Sequence, residues 1–86
     1  MMVSLKVGEI REVTIQFESD EIFTIDSANY SIVDNANLEI SNGIADVIDK
    51  KILTLFQADV IGNFKVKFIA NIGNEIYKPT INVVVK

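Results

Sequence analysis

The sequence predicts an all-β antiparallel sandwich of about seven or eight strands, and three observations carry that prediction. The chain of 86 residues holds 14 Ile and 10 Val against only 4 Leu, a balance that favours pleated, β-branched surfaces over helices. Short stretches alternate apolar with polar residues, and no long segment repeats with the helical period. Gly, Asn and Asp punctuate these stretches at intervals of about 8 to 12 residues, the spacing of strands in a sandwich or barrel. A length of 86 residues suits one small domain, and residues 1–86 are read as one, with 1–8 as a loosely ordered N-terminal segment.

Taken in order, Val13, Ile15 and Phe17 alternate with Glu12, Thr14 and Gln16, which predicts a first strand from about Ile10 to Phe17. The acidic run Glu18-Ser19-Asp20-Glu21 turns the chain, and Ile22 to Ile25 is a second strand candidate. Ala28, Tyr30 and Ile32 alternate with Asn29, Ser31 and Val33 as a third, before the turn composition Asp34-Asn35-Ala36-Asn37. Asn42-Gly43 is a strong hairpin dipeptide; a turn there pairs Ile40 with Ala45 and Leu38 with Val47, and sets Glu39 opposite Asp46. A three-residue turn at Asp49-Lys50-Lys51 then pairs Val47 with Leu53 and Ala45 with Leu55, continuing the same inward face.

The clearest inference concerns Gly73-Asn74. A two-residue loop there pairs Ala70 with Tyr77, Phe68 with Pro79, Val66 with Ile81 and Phe64 with Val83 on one side, and Lys67 with Thr80 and Lys65 with Asn82 on the other. One register sorts core from solvent on both strands at once. Pro79 cannot donate to a ladder, so its strand is expected at an edge or bulged there. The last strand, Ile81 to Val85, is apolar on both faces; either its second face is covered or it offers an edge for strand addition.

Composition also excludes chemistry. The chain has no Cys, His or Trp, which removes disulfide scaffolds, Cys/His zinc sites, Cys nucleophiles and imidazole-based triads. A net charge of −4 argues against nucleic-acid partners, which need clustered Lys and Arg. No apolar run approaches the roughly 20 residues of a membrane helix, and no signal-peptide pattern opens the chain. No membrane partner is expected. The four glycines, Gly8, Gly43, Gly62 and Gly73, stand too far apart for a phosphate-cradling loop. Oxygen clusters at Glu18/Asp20/Glu21 and at Asp34/Asn35/Asn37 lack the spacing of a calcium loop and read as solvated turns. No metal or other cofactor is predicted, and no catalytic residue.

The aromatic residues Phe17, Tyr30, Phe56, Phe64, Phe68 and Tyr77 fall in the inward phase of their strands or close to it, which favours core packing over a binding platform. Phe23 is the exception, an aromatic candidate for a carbohydrate- or cell-surface-binding module. Charge is uneven, with two basic and eight acidic groups in residues 1–43 and six and four in residues 44–86. Lys65 and Lys67 point away from the predicted core, and Lys78 shares their face with Ile69 and Ile76. These five residues form a candidate interface for another subunit, self or other, and a homo-oligomer is one such arrangement.

The segment Gly62-Asn63-Phe64-Lys65-Val66-Lys67-Phe68 resembles the Gly-x-aromatic-x-Val-x-aromatic signature that opens the penultimate strand of many small bacterial and phage immunoglobulin-like domains. Ala28-Asn29-Tyr30-Ser31-Ile32, the Asn-Gly dipeptide and the Val-rich final strand are similar to further elements of such domains. From Gly8 to Val85 the chain resembles the short stand-alone versions encoded among phage and prophage head, neck and tail genes, and the N-terminal domain of some phage baseplate proteins. Phe64 stands where those domains usually carry Tyr, removing the hydroxyl of that corner. The resemblance implies an immunoglobulin-like sandwich and a structural, non-enzymatic role as a small virion component, in the head, neck, tail or baseplate, made in the host cytoplasm and then carried in the phage particle. It implies no site residues. The second reading is the carbohydrate-binding module, and the third a hydrolase with paired carboxylates.

Overall fold

Strict alternation places Phe64, Val66, Phe68 and Ala70 on one side of the longest strand and Lys65, Lys67 and Ile69 on the other, and the larger sheet is built around that strand. The computed structural model describes residues 2–19 and 22–86. Nine strands form in chain order, and no helix is present among the described residues: β1 (Met2–Leu5), β2 (Ile10–Gln16), β3 (Ser27–Val33), β4 (Glu39–Ile44), β5 (Asp46–Ile48), β6 (Lys51–Gln57), β7 (Gly62–Ile72), β8 (Glu75–Tyr77) and β9 (Thr80–Val85). A six-stranded sheet runs β1-β9-β7-β3-β4 with β8 also on β7, and a three-stranded sheet runs β2-β6-β5. The fold is the all-β sandwich that composition and periodicity predict.

The β7 hairpin has the expected register at Ala70↔Tyr77, Lys67↔Thr80, Val66↔Ile81, Lys65↔Asn82 and Phe64↔Val83. Gly73, at φ +59°, supplies the left-handed residue of its turn. The partner strand is interrupted at Lys78-Pro79, which separates β8 from β9. Pro79 has no N–H to donate, yet its carbonyl still accepts from the Phe68 N–H at 2.9 Å.

The inner faces meet through Val13, Ile52 and Phe56 from the smaller sheet and Phe64, Val66, Phe68, Ile81 and Val83 from the larger one, all buried. Phe56 and Phe64 join the layers directly, edge to face, with ring centroids 5.7 Å apart and planes at 61°. Burying side chains of this size stabilises the fold by about 1.5–3 kcal/mol each.

Several expected pairings differ. Asn42-Gly43 makes no hairpin tip; both residues lie inside β4, paired with Ser31 and Tyr30 of β3. Gly43 leaves room there for the Tyr30 ring, since a Cβ on it would lie 3.0 Å from the Tyr30 Oη and 3.1 Å from its Cε1 and the ring would have to shift by a few tenths of an ångström. The chain then changes sheets at the buried Ala45, whose N–H donates to the Ala28 carbonyl at 3.0 Å. Glu39 and Asp46 therefore belong to different sheets, and their expected like-charge opposition does not arise.

The next turn contains two residues rather than three. Asp49 adopts φ +54°, which shortens the loop, and Val47 pairs with Ile52 instead of Leu53. A slip of one residue reverses the faces, so Ile52, Thr54 and Phe56 point inward while Leu55 is exposed. Residues 22–25 form no strand: Ile25 is buried, but Ile22 is fully exposed. At the N-terminus, residues 2–5, expected to be loosely ordered, form β1 parallel to β9. The apolar β9 thus has a covered edge.

Between β3 and β4, Asp34 Oδ1 accepts the N–H groups of Ala36 (2.9 Å) and Leu38 (3.0 Å), while Asn37 adopts φ +61°. This backbone-directed use of the carboxylate is what turn composition predicts. Asp34→Ala leaves two donors without their acceptor and is expected to cost about 1–2 kcal/mol in urea unfolding. Asp34→Asn, which retains an acceptor oxygen, is expected to restore most of that loss.

Candidate functional site

The outer face of the six-stranded sheet collects the five residues that alternation assigns to a candidate interface. Lys65, Lys67 and Ile69 occupy the outward phase of β7, Ile76 pairs with the outward Asn71, and Lys78 follows β8 on the same side. Ile69 is 40% exposed and Ile76 63%. None of the three lysines has an ion-pair partner among the described residues.

Strands β3 and β4 extend this face with residues that sequence reasoning missed as part of it. Asn29 lies between Ile69 and Ile44, and Ser31 between Lys67 and Asn42. Ile44 is 83% exposed. Between Ile44, Asn42 and Glu39 on one flank and Ile69, Lys67 and Lys78 on the other lies a shallow groove of about 750 Å³. The signal for the β4 residues was obscured because Asn42-Gly43 reads as a turn, which moves Ile44 and Glu39 into other pairings.

Glu39 is fixed at the groove edge. Its Oε1 accepts from the Ser31 hydroxyl at 2.6 Å and its Oε2 from Asn42 Nδ2 at 3.0 Å. These bonds, that from Ser31 foremost, hold the carboxyl below its ordinary value of 4.5. Their stabilisation is present above that value and is lost as pH falls through the lowered folded value. Glu39→Gln is therefore expected to flatten part of the fall in melting temperature between about pH 5 and 3, which a thermal series against the parent chain measures.

At the β7–β8 tip, the Tyr77 hydroxyl donates to the Glu75 carboxylate, which raises the phenol above 10.0; that contribution is lost only as pH rises through the raised value. Glu39 and Tyr77 thus both titrate further from neutrality. With no His in the chain, melting temperature is expected to stay nearly flat from about pH 5.5 to 8.

Phe23 does not supply an open aromatic platform. It is half-buried against the core, with Lys50 Nζ lying 5.1 Å from its ring centroid. Of the oxygen clusters, Asp34 is engaged by backbone donors, and Asp20 and Glu21 lie outside the described residues. No group of three or more acidic, His or Cys side chains among the described residues is placed to hold a metal ion.

No family model and no curated protein matches the chain. Among solved structures, CopC from Methylosinus trichosporium OB3b has a similar fold, with a TM-score of 0.72 and 15% identity, covering 98% of this chain and 82% of CopC. The likeness is one of fold.

That comparison overturns the expected virion identity. The structural likeness is to CopC, and no phage or prophage family matches. The reading as a head, neck, tail or baseplate component is withdrawn, and with it the placement in host cytoplasm and then a phage particle, which rested on the same resemblance. The physical reason lies in the residues that carried it. Ala28, Ile32, Phe64, Val66 and Phe68 are all buried, and Tyr30 packs against them. They are packing residues that any sandwich with this core can use, so they report fold and not family. The carbohydrate- or cell-surface-binding alternative is withdrawn as well, since Phe23 packs on the core and the fold likeness lends it no support.

Proposed function

We propose that this chain is a protein-binding module without catalytic machinery, which engages another protein subunit through the outer face of its six-stranded sheet. The observation that carries the reading is the concentration on one sheet face of Ile44, Ile69 and Ile76, exposed, beside Lys65, Lys67 and Lys78, which have no ion-pair partner among the described residues. An apolar patch set among charges offers desolvation energy and, at its rim, selectivity for a partner of opposite sign.

Enzymatic use of the face has less support. Glu39, the carboxylate at the groove, is held by two donors in its ionised form, which suits an acceptor and not a general acid near neutral pH. A surface on which three lysines outnumber the one carboxylate of Glu39 beside exposed isoleucines calls for a partner surface with exposed aliphatic residues and carboxylates.

The test is a triple charge reversal, Lys65→Glu/Lys67→Glu/Lys78→Glu, compared with the parent chain in co-purification from the cells that make it. Loss of a specific partner at an unchanged melting temperature is the expected result. Retention of every partner by the folded variant contradicts the reading.

A further inference from the structure

The smaller sheet also presents an outer face, and its composition complements that of the larger one. In β6 the outward phase carries Lys51, Leu53, Leu55 and Gln57; Glu12 of β2 lies directly across from Leu55, and Asp46 of β5 directly across from Leu53. Ile10, Ile48 and Leu55 are exposed. Two carboxylates therefore flank an aliphatic strip, on the side of the sandwich opposite the strip of Ile44, Ile69 and Ile76 with its three lysines. Each face leaves large aliphatic side chains in water.

We infer that the partner of the larger sheet's outer face is a second copy of this chain, which presents the outer face of its smaller sheet. This rests on the reading of the larger face as a protein-binding surface and names what covers it. Charge sets the arrangement. Lys65, Lys67 and Lys78 outnumber Glu39 on the larger face, and Glu12 and Asp46 outnumber Lys51 on the smaller one, so a two-fold contact between like faces sets like net charges together. Larger face on smaller face brings lysines to carboxylates and aliphatic strip to aliphatic strip. Because the two faces lie on opposite sides of one molecule, the contact is head-to-tail. Each added copy leaves one face free at either end, so association continues until a ring closes or a filament grows.

Sedimentation velocity of the purified chain tests this over about 10 µM to 1 mM, the range in which a contact of modest area titrates. Average mass is expected to rise with concentration. Lys65→Glu/Lys67→Glu and Glu12→Lys/Asp46→Lys are each expected to remain monomeric across that range at nearly unchanged melting temperature. An equimolar mixture of the two is expected to associate again, because the unaltered basic face of one meets the unaltered acidic face of the other.

A parent chain that stays monomeric throughout, or association that survives both reversals, overturns the inference. In the first case, a different protein that still co-purifies and is lost on triple reversal leaves the larger face as a binding surface with another occupant. Absence of any such protein removes that reading too.

Discussion

Phe56→Ala is expected to destabilise the chain by about 3–5 kcal/mol, the range for truncating a fully buried aromatic side chain. Phe56 has no exposed surface, and its ring meets Phe64 edge to face across the two sheets. The substitution removes transfer energy and leaves a cavity that two sheets held by their own ladders cannot easily collapse to fill. A domain of this length has a total stability of only about 4–13 kcal/mol, so the substitution is expected to remove a large share of it. Urea unfolding followed by circular dichroism measures this, with a lowered midpoint as the expected result. Phe23→Ala, at a half-buried ring beside Lys50, is expected to cost less than half as much.

Leu5→Ala is the second large effect, expected to cost about 2–4 kcal/mol. Leu5 is buried although it sits near the chain start, because β1 lies parallel to β9 with Val3 beside Val83 and Leu5 beside Val85. Backbone bonds continue the pairing: Lys86 N–H donates to the Leu5 carbonyl at 2.9 Å, and Val7 N–H to the Lys86 carbonyl at 3.2 Å. A loosely ordered N-terminal segment predicts no change in the urea midpoint. Removal of residues 1–6 is expected to do more, exposing one edge of the Val-rich β9 to pairing with other chains and raising light scattering on heating.

The register was legible residue by residue where two independent signals agreed. Around β7, a glycine turn and two alternating strands demanded the same register, and that register forms. Single signals placed β2, β3 and the Asp34 turn, but elsewhere a signal standing alone misled. Asn42-Gly43 carries hairpin chemistry, but its glycine makes room for the Tyr30 ring. At Asp49, one left-handed aspartate shortens the turn by a residue and exchanges the faces of β6. β1 is four residues long and pairs with the far end of the chain, so neither periodicity nor a turn announces it.

The same logic governs the candidate site. Lys65, Lys67 and Ile69 were readable as an outward face because their strand's inward phase is unmistakable, and Ile76 and Lys78 followed from the register. Ile44 and Glu39 were not, since β4 was expected to pair elsewhere. The aliphatic strip on the smaller sheet was hidden by the slip at Asp49, which makes Leu53 and Leu55 look like core. An apolar residue on the outer face of a sheet becomes visible only when the register is known to the residue.

The most direct test of the larger face as the binding surface is site-specific photo-cross-linking from position 69, with position 61 as the exposed control away from that face. A photoreactive residue replacing Ile69 is expected to capture a partner protein, a second copy of the chain foremost, in discrete adducts that Lys65→Glu/Lys67→Glu abolishes. The same residue replacing Ile61 is expected to give none of them. Equal capture from both positions, or none from position 69 in the cells that make the chain, contradicts the assignment of function to this face.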